Sequence, residues 1–403
     1  MIKLSDRAKA MPASPIRKLV PLADEAKKRG VKVYHLNIGQ PDIVTPKEFM
    51  QYVIEQAPKV ISYTHSEGIH ECINAMIDYY KTVNISLERK NVQITMGGSE
   101  AITFAMTAVT NPGDEVIVFE PFYTNYNGFA TMLGVKLVPI TTYAEDGYHF
   151  PAKEEIEKHI TDKTRAIMIC NPNNPTGTVF ERNEIETIVE IAQKRDLFVF
   201  SDEVYREFIY DGLKHTSIMD FPEIKDRAIM LDSLSKRYSL CGARIGCLVS
   251  YNTDIMQAAL RMGQARLSSP TLEQIGAIGA LKLPASYYKE VIDEYESRRN
   301  SSYERLLKIK GVMCKEPKGA FYIFIKMPIK DSSHFATYLL NEFNYEGETV
   351  MVAPGDGFYA SKGLGYDEIR IAYVLKKEDM VKSIDLLDKG IEKYKIDYPN
   401  MVS

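Results

Sequence analysis

An α/β fold is predicted, with a mostly parallel sheet covered by helices on both faces and a second domain after it. Three observations predict it. Short apolar runs alternate with helical-looking polar segments from about residue 90 to 250, the pattern of strands joined by crossover helices. The turns after several of these runs carry Gly, Ser, Asn or Asp, and in such sheets ligands sit at the carboxyl ends of the strands. At 403 residues the chain exceeds the size at which one core keeps growing, so two domains are expected.

Ile16 to Arg29 is a short amphipathic stretch. Val31 to Ile38 then alternates like a strand and runs into the tight loop Gly39-Gln40-Pro41-Asp42. Thr45-Pro46-Lys47-Glu48 reads as a helix start, with Thr45 as cap, Pro46 at the first helical position and Glu48 closing a capping box. A domain boundary is placed after residue 47. Val92 to Thr95 is a β-branched run that leads through Gly97-Gly98-Ser99-Glu100 into an Ala-rich helical segment ending at Val109. Strand-like runs follow at Val116 to Phe119, Val135 to Ile140, Ala166 to Cys170, Leu197 to Phe200, Ala228 to Leu231 and Cys247 to Val249, with a helical segment from Asn183 to Arg195. Tyr288 to Lys308 carries a helical apolar stripe and connects to a second domain, taken as residues 291–403. That domain runs through Ala320 to Ile325, Gly347 to Val352 and Ile369 to Val374 to a final amphipathic helix, Lys377 to Lys395.

Composition narrows the function classes. Charged residues at 26% and hydrophobic ones at 45% are those of a folded, soluble protein. A net charge of −4 without a basic run argues against nucleic acid as partner, and no segment reaches the roughly 18 to 20 apolar residues of a membrane span. The five cysteines, at 72, 170, 241, 247 and 314, are scattered, as are the histidines. Neither a disulfide framework nor a metal site is expected. The basic N-terminus is not followed by the apolar run of a signal peptide. The expected address is the cytoplasm.

Chemistry concentrates in Ser233-Leu-Ser-Lys-Arg-Tyr-Ser-Leu-Cys-Gly-Ala-Arg-Ile-Gly246. Lys236 offers an amine for a carbonyl, while Ser233, Ser235 and Arg244 offer hydroxyls and a cation for a phosphate. Asn171-Pro172-Asn173-Asn174-Pro175-Thr176-Gly177 follows a strand, and its prolines force the asparagines out of the sheet; alone it is also an ordinary turn. Asp202, in Ser201-Asp202-Glu203-Val204-Tyr205, ends the next strand and suits a protonated heterocyclic nitrogen, although by itself it is equally a helix cap. Gly98-Ser99-Glu100 presents a helix N-terminus, either a phosphate site or a plain capped helix. Arg370 is a lone cation inside an apolar run, suited to a substrate anion.

Together these segments resemble, over essentially the whole chain, the class I/II aminotransferases, pyridoxal-phosphate enzymes of the aspartate aminotransferase fold (fold type I). The resemblance implies a seven-stranded sheet in the large domain, residues 48–290, and a smaller α+β domain built from both chain ends. It implies that Lys236 bonds to the cofactor aldehyde and moves the substrate α-proton, and that Asp202 pairs with the pyridine nitrogen. Asn174 and Tyr205 then hold the ring oxygen, and Tyr123, in Glu120-Pro121-Phe122-Tyr123, stacks on the ring. Gly98, Ser99, Glu100, Ser233, Ser235 and Arg244 correspond to the phosphate cup. Arg370 corresponds to the α-carboxylate clamp, with Gly39 and Asn174 beside it. Tyr63 corresponds to a tyrosine that reaches the neighbouring subunit's phosphate, which implies a homodimer with shared active sites. Locally the match is imperfect: His65 stands where the family usually has proline, and Cys72-Ile73 where it usually has Leu-Arg. Neutral Lys236 is the competent base, and the charge of Arg244 favours that form.

Substrate choice turns on Arg266, which falls near the position where aspartate-type relatives offer a second cation, often from the partner subunit. On that basis aspartate or glutamate with 2-oxoglutarate or oxaloacetate is expected, in a ping-pong reaction. Glu100 opposes a diacid, and Arg266 is equally read as half of a salt bridge. An alanine, aromatic or broad-specificity aminotransferase and a C–S β-lyase use nearly the same cofactor set. A regulator built on this fold would be expected to carry an added, basic DNA-binding domain.

Overall fold

The computed structural model describes residues 2–403; Met1, first residue of the expected N-terminal segment, lies outside the described residues. The strands are β1 Lys32–His35, β2 Val92–Met96, β3 Glu115–Glu120, β4 Lys136–Thr141, β5 Thr164–Cys170, β6 Phe198–Asp202, β7 Ala228–Ser233, β8 Ile245–Val249, β9 Tyr322–Lys326, β10 Glu348–Met351, β11 Ala353–Pro354 and β12 Glu368–Ala372. Seven of them form one sheet in the order β2-β8-β7-β6-β5-β3-β4. All its pairings are parallel except those of β8, which is antiparallel to both neighbours. Every residue of β3, β7 and β8 is buried, as expected for strands covered on both faces. Helices His70–Thr82, Arg182–Arg195 and Thr271–Leu281 pack on one face, and Gly97–Val109, Asn125–Leu133 and Thr253–Arg266 on the other.

A second, smaller unit joins the chain ends. β1 pairs in parallel with β10, His35 opposite Met351, and β11, β12 and β9 form an antiparallel sheet. Helices Val20–Lys28, Ser332–Asn341 and Lys377–Asp397 share its apolar core. Helix Ala285–Leu306 runs unbroken across the division expected after residue 290.

The capping box expected at Thr45 does not form. Pro46 has extended backbone and is itself the cap residue of helix Lys47–Gln56, which has no side-chain cap. The Thr45 hydroxyl instead donates to Ser239 O at 2.9 Å, tying the N-terminal segment to the loop after Lys236.

Candidate active site

The carboxyl ends of the parallel strands converge on one cavity of about 330 Å³. β2 delivers Gly98 and Ser99, β3 delivers Tyr123, β5 delivers Asn174, β6 ends on Asp202 ahead of Tyr205, and β7 ends on Ser233 ahead of Ser235 and Lys236. Because β8 is antiparallel, its first residue lies at this same edge, and so Arg244, just before it, joins the others. Gly39 and Arg370 reach the cavity from the smaller unit.

Lys236 Nζ donates to Gly39 O at 2.7 Å and lies 3.9 Å from Cys241 Sγ. Burial pushes its amine pKa down; the nearby Cys241 opposes this, and the charges of Arg370 and Arg244 add to it. A neutral amine is thereby favoured. Arg237, the next residue, is fully buried and holds Asp232 through two bonds of 2.7 and 2.9 Å, while Tyr80 donates to the same carboxylate at 2.6 Å. This anchor fixes the short helix that carries Lys236. It was not apparent from sequence, where the i, i+5 pairing of Asp232 with Arg237 is the only signal.

Asp202 is buried with no cationic partner. Its pKa is pushed up to about 6 by burial, partly offset by the Tyr126 hydroxyl, which donates at 2.8 Å, and by the Val204 N–H. A carboxylate so placed is stabilised by any cation that enters the cavity. Asn174 donates to the Tyr205 hydroxyl at 3.4 Å, which shares a 2.8 Å bond with the Tyr322 hydroxyl. Tyr322 and Tyr126 were not anticipated; Tyr322 lies in a run read only as apolar, and Tyr126 on helix Asn125–Leu133, which the sequence did not mark.

Arg370 donates to Asn174 Oδ1 at 2.9 Å and to Asn37 O at 2.6 Å, and its guanidinium lies over the Tyr322 ring at 4.4 Å. Its Nε is buried without a partner, as is the Asn37 side-chain amide. Burial lowers its pKa, and no carboxylate opposes this. An anionic ligand would satisfy both charge and orphaned donor.

Ser233 and Ser235 hydroxyls bond each other at 2.8 Å, beside the first turn of helix Gly97–Val109. Gly97 has φ +70, and a Cβ there would stand 2.6 Å from Arg244 Nη2. Only glycine lets that guanidinium lie against the helix start, where free N–H groups and a cation together make an anion cradle. Cradle, uncompensated carboxylate, low-pKa amine and orphaned guanidinium fit a phosphorylated, aldehyde-bearing heterocycle and an amino acid.

Three expected site residues do not line this chain's own cavity, and two of them, Tyr63 and Arg266, are expected to act in the neighbouring subunit's site. Tyr63 is 77% exposed on the surface. Glu100 and Arg266 face each other, Arg266 Nε 3.1 Å from the Glu100 carboxylate, and neither lines the cavity. Of the two readings the sequence left open for Arg266, the structure shows the ion pair within its own chain, because its helix ends beside the start of the helix bearing Glu100.

The profile of the family described as aminotransferase class I and II matches residues 31–386. The chain belongs to that family. Class I and II aminotransferases use pyridoxal phosphate and transfer amino groups by a ping-pong mechanism. This aminotransferase is 33% identical to aromatic-amino-acid aminotransferase 2 of Thermococcus litoralis, over 98% of this chain and 99% of that one. It is 30% identical to the aspartate aminotransferase of Bacillus subtilis, with 98% of each covered. The solved alanine aminotransferase of Pyrococcus furiosus superposes with a TM-score of 0.88 at 30% identity, over 97% of this chain and all of that one. Three relatives at nearly equal identity carry three different substrate names, so overall similarity does not select among them.

Proposed function

We propose that this aminotransferase exchanges amino groups between aspartate or glutamate and a 2-oxo acid, 2-oxoglutarate or oxaloacetate, with pyridoxal phosphate held around Lys236. One observation carries the reading: the low-pKa amine of Lys236 and the unsatisfied guanidinium of Arg370 share a cavity with the uncompensated Asp202. Arg370, with Asn174, takes the α-carboxylate. Lys236 Nζ then accepts the α-proton and returns it. The bound cofactor supplies a protonated heterocycle that spreads the charge left on the α-carbon. Asp202 holds that heterocycle's proton, with Tyr126 fixing the carboxylate. Asn174 and Tyr205 hold the ring oxygen and Tyr123 the ring face, while Gly98, Ser99, Ser233, Ser235 and Arg244 take the phosphate.

The diacid preference rests on a count of cations. Among those lining the cavity, Lys236, Arg244 and Arg370 have roles; Arg17 remains, exposed, its hydrogen bonds among the described residues being made by its backbone, to Ser14 Oγ and from Val20 N–H, and not by its guanidinium. Arg17 replaces Arg266 as the receptor for the distal carboxylate. Ile16, Val20 and Ile38, on the same wall, favour a second reading in which apolar or aromatic substrates are also accepted.

The exposure of Tyr63 together with Ile54, Val60 and Ile61 supports a homodimer in which Tyr63 serves the neighbouring site. The absence of disulfides among the five cysteines supports a cytoplasmic address.

A half-reaction screen tests the reading. The holoenzyme is mixed with each amino acid, and conversion of the cofactor to its pyridoxamine form is followed by absorbance. Aspartate and glutamate should convert it fastest. Faster conversion by alanine or phenylalanine overturns the diacid preference, and pyruvate and ammonia release without a 2-oxo acid identifies a β-lyase.

A further inference from the structure

We propose that His65, Glu67 and His70 form a binding site for a divalent transition-metal ion of the zinc type, outside the cofactor cavity of their own chain. A ring nitrogen of each histidine and a carboxylate oxygen of Glu67 all lie within 4.8 Å of one another. His70 Nε2 is 3.4 Å from Glu67 Oε1. That is the spacing of two ligands on one tetrahedral ion, since bonds of about 2.1 Å place neighbouring ligand atoms about 3.4 Å apart. The His65 and His70 rings stack at 4.7 Å with 5° between their planes; an imidazole nitrogen binds an ion in the plane of its ring, so one ring must turn out of the stack for both to hold the same ion. Two imidazole nitrogens and one carboxylate oxygen suit Zn²⁺, Co²⁺ or Ni²⁺ rather than Mg²⁺ or Ca²⁺.

The backbone that carries these side chains is held in place without an ion. Ser66 O accepts from Gln93 Nε2 at 2.7 Å, Glu67 O accepts from Ile94 N at 2.8 Å, and Ile69 N donates to Gln274 Oε1 at 2.7 Å. Gly68 sits at φ +125, where a Cβ would stand 2.4 Å from Ile94 Cγ1, so the turn that sets Glu67 against His70 requires glycine. His65 is exposed and the other two side chains are partly so. Rotation of the exposed His65 side chain out of the stack completes the ligand set, and a fourth position stays open to water. The ligand spacing of two and three residues follows no common metal motif; only the folded turn brings the donors together. An ion here would also stiffen the loop two residues beyond Tyr63.

The test is titration of untagged, chelator-treated holoenzyme with Co²⁺ and Zn²⁺, read by visible absorption and calorimetry. One ion per chain is expected, with Co²⁺ bands of tetrahedral intensity. His65→Ala and His70→Ala should each weaken binding at least about tenfold, as loss of one of three protein ligands requires. His159→Ala, in the turn after helix Lys153–Glu157 and outside this cluster, should leave binding unchanged. The exposed His65 yields a variant whose fold is readily checked by circular dichroism. No binding up to about 1 mM, a binding energy of only about 4 kcal/mol, overturns the proposal. So does equal binding by wild type, His65→Ala and His70→Ala.

Discussion

Arg266 and Glu100 are ion-pair partners within one chain, 3.1 Å apart and both largely buried. Glu100 also accepts from Met96 N at 2.8 Å, and Arg266 donates to Ile94 O at 3.2 Å. The pair therefore clips the end of helix Thr253–Arg266 to the start of the helix that bears Gly98 and Ser99. Burial lowers the Arg266 pKa, against the attraction of Glu100.

Arg266→Ala leaves a buried carboxylate unpaired beside the phosphate cradle. Breaking such a pair costs about 3–5 kcal/mol when it is fully buried, and residual exposure reduces this. A Tm lower by several degrees and weaker retention of pyridoxal phosphate are expected, with the ranking of amino acid substrates unchanged. Thermal melts, cofactor dialysis and steady-state KM values check this; a KM increase confined to aspartate would give Arg266 a substrate role.

Arg17→Ala should raise KM for aspartate and glutamate about tenfold or more, the effect of about 1.4 kcal/mol of lost charge-assisted bonding, while alanine and phenylalanine change little. Parallel kinetics with the four amino acids decide it. If Arg17→Ala leaves the diacids unaffected but they remain the best substrates, the carboxylate is held elsewhere.

Arg370→Lys should impair every amino acid alike, since all share the α-carboxylate. A lysine loses the two-pronged grip and the bonds to Asn174 and Asn37. A fall of about 100-fold in kcat/KM, equivalent to about 3 kcal/mol, is expected for each substrate tested.

Asp202 makes stability depend on pH in the cofactor-free protein. Its folded pKa, about 6, lies above the value of about 4 for an unfolded aspartate, so between these values the folded state binds more protons and stability falls as pH rises. The contribution amounts to about 3 kcal/mol across the window, and it is lost above about pH 6. Chemical denaturation of wild type and Asp202→Asn at pH 4 and 7 measures it: the wild type should lose stability relative to the variant as pH rises. Cofactor binding should abolish the trend by placing a cation beside the carboxylate.

Lys236→Ala should abolish turnover and the visible band of the lysine-bound cofactor, because among the described residues no other lysine lines the cavity. General acid–base catalysis alone accounts for about 10²–10⁴-fold. Persistent turnover at more than about one per cent of wild type would remove Lys236 from the reaction.

Much of this was legible in the sequence because strand ends are marked locally. Apolar runs of four or five residues followed by Gly-Gly-Ser, Asn-Pro-Asn-Asn-Pro or Ser-Asp-Glu placed Gly98, Asn174 and Asp202 at the edge where a parallel sheet gathers its ligands. The family resemblance supplied the rest of the cavity's membership. Tyr126, Tyr322 and the Asp232–Arg237 anchor escaped notice, since a tyrosine or a charged residue carries in the sequence no mark of the partner it meets in the fold.

The sequence by itself determined the alternation of elements and the division between a large sheet and a smaller unit, because those depend on periodicity and on residue type at strand ends; the family resemblance it carries pointed to Lys236 as the reactive amine. Only the tertiary structure decided which charges are free. Arg266 closes on Glu100, Arg17 is left open at the cavity, and His65, Glu67 and His70 meet around one turn. Electrostatic pairing acts over a few ångströms in space, and the folding of distant segments, not their order along the chain, sets those distances.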